Sequence, residues 1–363
     1  MSYAITYENL HKFTTTVFEA CGVPAEKSLI AANVLCYADE NGIDSHGVFN
    51  LSRIYVPQLL SGSINPRTTP EVISDNAATV LLDGHGGLGL LVADYAMDLA
   101  IEKAKKFGVS MVIVRGSTHF GSAGYYAAKA LKKKMIGIAS TNLGAQAIVR
   151  PPLGIECRLG TNPISFAAPT LTMPPFLLDM SVTVVSTGKL RVAMMKGESI
   201  PQGWLIDDDG NSLIDPSAYD QGVGHLLFLG GDIQTGGYKG FGLAILVDIL
   251  CGILSDAFVG TDSSLEKKDT SHIANNIGHC FLAIKIDNFI DHERFIERID
   301  GMLESLTLCP TMGNDQKVIY PGWLESKNSE SRRRSGIPLE EHVYRALCEL
   351  STQLDIAVPK IMK

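Results

Sequence analysis

No two of the seven cysteines (21, 36, 157, 251, 280, 309 and 348) of this 363-residue chain stand in a CxxC spacing, and their number is odd. That argues against a disulfide framework or a zinc ribbon and suits reduced thiols in a cytosol. The nine histidines form no HxxxH or HExxH pair, so no metal site is expected. Positive charge is in deficit. A net charge of −8 leaves nucleic acid and anionic membrane surfaces poor partners, and the short basic runs at 132–134 and 332–334 read as solvated faces. Residues 1–13 carry no basic stretch followed by an apolar core, so no secretory signal is expected. The longest apolar run, 241–254, is short for a bilayer and contains Asp248. No internal repeat or low-complexity tract occurs. The expectation is a soluble, cytoplasmic protein.

What is present is an ordinary globular composition, 45% apolar and 19% charged, long enough for two structural units or one large one. Apolar side chains recur at helical spacing over 6–20, 24–41 and 48–61. Strands are expected at 79–82, 109–114, 135–141, 163–168, 176–180 and 279–286. Helices are expected at 88–107, 121–134, 186–196, 240–254, 291–305 and 339–353, with a polar surface loop at 260–276. Strands and helices alternate through the middle, which indicates an α/β fold.

The run Asp44-Ser45-His46-Gly47-Val48 places a histidine where the helical pattern of 24–41 breaks, with Gly42 and Gly47 on either side. An imidazole near its ordinary pKa can take or give a proton at neutral pH, as carbonyl/alcohol interconversion requires; a histidine that merely ends a helix is the plainer alternative. A formal GxGxxG stands at Gly84–Gly89 between a strand and a helix. The following strand ends on Arg115 rather than an acidic residue for a ribose hydroxyl, so a tight structural turn is the favoured reading. Four further polar-tipped loops end apolar stretches. They are His119 with Phe120-Gly121, the turn Gly160-Thr161-Asn162-Pro163, the strand end Leu178-Asp179-Met180-Ser181, and Lys239 in the glycine loop 236–242. Two histidines, an aspartate and a lysine on such loops can supply acid–base chemistry and a charged anchor.

Taken together these motifs resemble the type 2 malate/L-lactate dehydrogenase family, whose relatives include ureidoglycolate dehydrogenase, 2,3-diketogulonate reductase and cyclic imino-acid reductases. The resemblance runs from about residue 5 to 350 through DSHGV, HFGxAxYY, GTNP, LDMS, GKxxxAxxxG, IPxGWxxDxxG, GxKGxGL and SGIPL. It implies a non-Rossmann NAD(P)-binding α/β fold, with residues 76–289 as the catalytic domain and a helical domain built from residues 1–75 and 290–363. It implies homodimers with the active site near the subunit boundary, a small-molecule substrate, and NAD or NADP as cofactor. By motif match, His46 is the general acid/base, His119 a second active-site histidine that relatives use as proton acceptor, and Asp179 the group that orients or shares the histidine's proton. Leu178, Asp179, Met180 and Ser181, with Tyr238, Lys239, Gly322, Trp323 and Leu324, would contact the cofactor. Ser45, Asn50, Asn142 and Thr161 are candidates for the substrate pocket.

One departure stands out. The family commonly has SHGxxRL, with an arginine suited to clamp a substrate carboxylate; here that position is Asn50. Either another cation such as Arg53 or Arg150 takes over, or the substrate is not a plain 2-oxo acid. The expected activity is hydride transfer between a nicotinamide and the C2 carbonyl or hydroxyl of a small 2-oxo or 2-hydroxy acid. The alternatives within the family are a diketo sugar acid reductase, a cyclic imino-acid reductase and a ureidoglycolate dehydrogenase. Outside it stand a lysine Schiff-base enzyme using Lys239 and a cofactor-binding protein without turnover.

Overall fold

Local chemistry sets the helical opening. The computed structural model describes residues 2–264, 276–313 and 316–362. After a short strand β1 (Ser2–Ile5), the Thr6 side chain accepts from Asn9 N and starts α1 (Tyr7–Ala20). Helix α2 (Ala25–Asn41) stops at Gly42, whose φ of 82° suits a residue without Cβ. A one-turn 3-10 segment, Asp44–His46, precedes the helix expected over 48–61. That helix runs without interruption from 49 to 60, with a π turn, Leu51–Tyr55, inside it and α3 (Val56–Leu60) as its last stretch.

The middle of the chain alternates β2 (Glu71–Asn76), β3 (Thr79–Asp83), α4 (Gly89–Phe107), β4 (Val109–Ser117), α5 (Ala123–Lys129), β5 (Met135–Thr141), β6 (Ile164–Ala168), β7 (Phe176–Met180) and α6 (Thr187–Lys196). A small three-stranded sheet follows from β8 (Leu205–Ile206), β9 (Ser212–Leu213) and β10 (His225–Leu226), with α7 (Ser217–Asp220) between the last two. Then come α8 (Gly237–Val247), β11 (Ile277–Lys285), α9 (His292–Thr307), α10 (Trp323–Ser335), β12 (Ile337–Glu340) and α11 (Glu341–Leu354).

The large sheet has seven strands in the order β2-β3-β4-β11-β5-β6-β7. Its β3–β4 pair, joined through α4, is parallel and every other pair is antiparallel. A dinucleotide fold of the doubly wound kind needs a run of parallel strands, so this α/β fold is not a Rossmann fold. β11 lies at the centre, which puts the apolar run around Cys280 and Phe281 at zero exposure. One apolar core runs from α1 and α2 through α4 onto this sheet and includes Ile337 and Leu339 of β12.

The apolar run 241–254 is longer as a helix than as a sequence. α8 begins four residues earlier on a glycine and continues without interruption to Ser255, giving 19 residues that by length and composition alone suffice to cross a membrane. Val247 and Cys251 pack against Ile113 and Cys280 of the sheet, while Leu246, Ile249 and Ile253 stay exposed. Of the loop expected at 260–276, Gly260–Ser264 forms a 3-10 turn and 265–275 lie outside the described residues.

Candidate active site

The loop after α2 is built around a buried carboxylate. Asp39, 2% exposed, accepts from Val48 N at 2.8 Å, and a Cβ on Gly47 would come within 2.0 Å of its Oδ1. Glycine at 47 is therefore a matter of space. Burial, the largest influence, pushes the Asp39 carboxyl up to about 8 against the Val48 hydrogen bond. Across the same turn the Asn50 amide donates to Ser45 O at 2.9 Å, and Asn50 is only 3% exposed. Ser45 Oγ lies 2.9 Å from His46 Nδ1, and Gly188 in the first turn of α6 lets that helix press against Ser45.

The second histidine arrives from the end of β4. His119 is stacked on His46 with ring centroids 6.0 Å apart and planes 15° from parallel. Tyr55, fully buried at the end of the π turn, brings its hydroxyl to 2.7 Å from His119 Nδ1, and Gly121 N reaches the same nitrogen at 3.3 Å. Burial, reinforced by the charge of His46, pulls the His119 imidazole down to about 3. Asp179 ends β7 and is held at the start of α5 by Ser122 Oγ at 2.6 Å and Gly124 N at 2.8 Å. Burial pushes the Asp179 carboxyl up and the His46 imidazole down, while each group's charge favours ionisation of the other. Such a pair is arranged to hold one proton between two sites.

The three stretches expected to touch a cofactor are strung along β7, with 320–324 at its start and the start of α8 linked to Val182 beyond its end. Pro321 O accepts from Leu177 N at 3.1 Å, which lays 320–324 beside the strand leading to Leu178–Ser181. Leu229 N donates to Val182 O, and Gly240 N donates to Leu229 O, which links the α8 start to Val182. A Cβ on Gly237 would stand 2.0 Å from Gly231 O, one on Gly240 2.4 Å from Leu229 N, and one on Gly322, where φ is 97°, 2.3 Å from Pro175 O. At these points backbone segments pack directly against one another, a closeness that glycine allows. Lys239 is exposed at the α8 N-terminus, its Nζ 5.9 Å from the Tyr238 ring centroid. Gly237, Lys239 and Gly240 N already donate to Asp232 O, Gly236 O and Leu229 O, so the exposed lysine is the group here suited to the phosphate of a dinucleotide.

Not every expected residue sits with the histidines. Asn142 is 2% exposed and fully engaged, donating to Asp248 Oδ1 and Phe258 O and accepting from Gly144 N and Gly278 N. Thr161 offers its carbonyl to Val182 N at 2.9 Å. Arg150 pairs with Asp208 at 2.7 Å, and Arg53 lies over the Phe49 ring at 4.6 Å, on the outer side of the His46 loop. A cavity of about 350 Å³ there is lined by Phe49, Arg191, Met194, Met195 and Asp220. Sequence reasoning missed three participants: Tyr55, Asp39 and His279. The buried His279 bonds Thr141 and Ser117 at 2.7 Å each and stacks on Phe120. Asp39 stands beside Glu40 at the polar end of α2, and its sequence position does not set it apart.

The Gly84–Gly89 run serves packing. Gly89 N donates to Thr118 Oγ1 at 2.8 Å, and a Cβ on Gly89 would meet Thr118 O at 2.2 Å. The start of α4 is thus occupied by the chain that carries His119, leaving no room for a pyrophosphate.

Known proteins agree with this architecture. The family model of the malate/L-lactate dehydrogenases matches residues 5–348. The malate dehydrogenase of Pyrococcus horikoshii is 41% identical over 350 residues, covering 96% of this chain and 95% of that protein. The L-sulfolactate dehydrogenase of Methanocaldococcus jannaschii is 34% identical over 97% of both chains. The crystal structure of malate dehydrogenase from Entamoeba histolytica superposes with a TM-score of 0.93 at 30% identity, covering 99% of this chain and 100% of that one. With a fold that is not Rossmann and a stacked histidine pair already in place, the chain belongs to the malate/L-lactate dehydrogenase family, whose members are nicotinamide-dependent oxidoreductases acting on small hydroxy or oxo acids.

Proposed function

We propose that this chain interconverts a small 2-hydroxy carboxylic acid, malate first among them, with its 2-oxo acid, using NAD or NADP. The observation that carries the reading is the His46–His119 stack, with the charges of His46 and Asp179 acting on one another. When bound, the nicotinamide supplies or takes up the hydride at the substrate carbon. Lys239 would hold phosphate, with Leu178–Ser181, Tyr238 and Gly322–Leu324 flanking the cofactor. His46 exchanges the proton with the substrate oxygen, and Asp179 returns or stores it. Acid–base catalysis of this kind contributes roughly 10²–10⁴-fold. We take 76–289 as the catalytic part and the two chain ends as the helical part, supported by the pairing of β1 with β12 and of α10 with α2.

Asn50 favours a second reading. Without a guanidinium at that position, the native substrate is one whose recognition needs an amide, a diketo sugar acid or a cyclic imino acid. Oxidation of NADH and of NADPH against oxaloacetate, pyruvate, sulfopyruvate, 2,3-diketogulonate and a cyclic imino acid separates these readings and the two cofactors. Binding of either dinucleotide with turnover of none of them would reject the assignment in favour of an inactive binding protein. The exposed Leu246, Ile249 and Ile253 of the α8 helix support a homodimer through that face, to be read as the mass in solution of the native chain and of Ile249→Glu. A cytoplasmic location is proposed from the scattered free cysteines.

A further inference from the structure

We propose that His119 acts as a fixed, neutral Nε2–H donor to the substrate, and that Tyr55 is the positioning residue that sets this tautomer. The inference rests on the oxidoreductase reading of the site and concerns which atom carries the proton. Two groups converge on His119 Nδ1: the Tyr55 hydroxyl at 2.7 Å and Gly121 N at 3.3 Å. A backbone N–H only donates, so Nδ1 must present its lone pair to it. Tyr55 then donates as well, because an acceptor hydroxyl would face the same lone pair. A neutral imidazole has one ring proton, and with Nδ1 accepting it resides on Nε2.

The surroundings hold each partner in this state. Tyr55 is fully buried, packs edge-on to Phe18, and burial keeps its phenol protonated. Gly121 has a φ of 80°, and a Cβ there would press on Val34 and Leu90, so its N–H is aimed by a backbone shape that only glycine adopts without strain. An imidazolium at His119 would turn an Nδ1–H against the Gly121 N–H, and it would stand in a buried site next to His46 and His279. Nε2 has no hydrogen-bond partner among the described residues and the ring is half-buried, which leaves that N–H for a ligand.

The two histidines therefore divide the work. In the reducing direction a bound nicotinamide would supply the hydride to the carbonyl carbon, and His46 would give its proton to the carbonyl oxygen and become neutral. His119 gives a hydrogen bond to the substrate and keeps its proton throughout. Its role differs from that of a proton acceptor.

Two measurements test this. In the first, ¹⁵N-histidine NMR of the cofactor-free enzyme should show His119 with an unprotonated Nδ1 and a protonated Nε2, unchanged from about pH 5 to about pH 9. Tyr55→Phe, which keeps the packed ring, should make both signals shift toward tautomer averaging. A protonated Nδ1, or titration of His119 near neutrality, would overturn the proposal, and no substrate is needed to see it. In the second, His119→Gln, whose amide still donates but cannot exchange a proton, should keep kcat/KM within about tenfold of wild type. His119→Ala should lose about a hundredfold. Glutamine as inactive as alanine, with cofactor affinity intact in both, would also overturn it. Should no substrate be turned over, the functional reading fails while the NMR result still decides the tautomer.

Discussion

Asp39→Asn tests whether the loop carrying His46 rests on a protonated carboxyl. The native carboxyl is pushed to about 8, chiefly by burial, against 3.8 as the reference. Between those values the folded protein keeps a proton that the unfolded chain releases, so stability falls as pH rises through the window and levels off above about 8. Each pH unit inside it is worth about 1.4 kcal/mol. Allowing for half-titration at the upper end, the wild type should lose roughly 2 kcal/mol between about pH 6 and about pH 8. Asparagine cannot ionise, yet its oxygen can still accept from Val48 N as Asp39 Oδ2 does. Its stability should therefore vary less over the same interval by that amount. Urea unfolding of both proteins at the two pH values and fixed ionic strength reads the difference. Equal losses in the two proteins would refute the reasoning, because they would mean that Asp39 ionises in the native state without cost.

Three other outcomes follow from the geometry. Gly86→Ala should cost about 1 kcal/mol of stability, because φ is 68° with no crowding atom nearby; a selective loss of dinucleotide binding in a folded variant would instead restore a Rossmann role to this loop. His46→Ala should abolish most turnover while the dissociation constant for the cofactor, measured by fluorescence titration, changes by less than about tenfold. Asn50→Arg brings a guanidinium to the substrate end of the loop and should shift kcat/KM toward plain 2-oxo acids by roughly ten- to a hundredfold; an unchanged ranking of substrates would show that position 50 only braces Ser45 O.

The buried elements were legible because they carry periodic or continuous apolar runs. The ends of α2 and α4 at Gly42 and Gly108, and the strands around 112, 138, 166 and 178, lie where the sequence puts them. β2 escaped notice because it is an edge strand exposed along most of its length, and α10 because it buries no residue at all. β1 and β12 could not be seen singly, since each is a strand only by virtue of the other, more than 330 positions away. Strand order was equally hidden: apolar periodicity says which face is buried and nothing about which neighbour shares the ladder. In the site, glycine-containing loops marked His46, His119 and Lys239 and the end of an apolar strand marked Asp179, but Tyr55 stands in an apolar run 64 residues before the ring it touches. Asn142, read as a pocket residue, is instead held in a buried hydrogen-bond knot, a role that its sequence neighbourhood does not distinguish.

The pairing of Ser2–Ile5 with Ile337–Glu340 has a consequence for how the protein is made. Between these strands runs almost the whole chain, and α10, just before β12, braces the end of α2: Arg332 bonds Asp39 O and Asp44, and Arg333 bonds Glu40. The turn that presents His46 is thus fastened from the far end of the polypeptide. A ribosome releases residues in order, and domains settle as their contacts become available. The opening helices must therefore wait, with part of their apolar surface uncovered, until residue 340 has emerged. Closing so long a loop is slow relative to forming the local helices, so the proton-transfer turn is a late event of synthesis. Truncation just before α10 would remove Arg332 and Arg333 and leave the His46 loop unfastened from the far end of the chain.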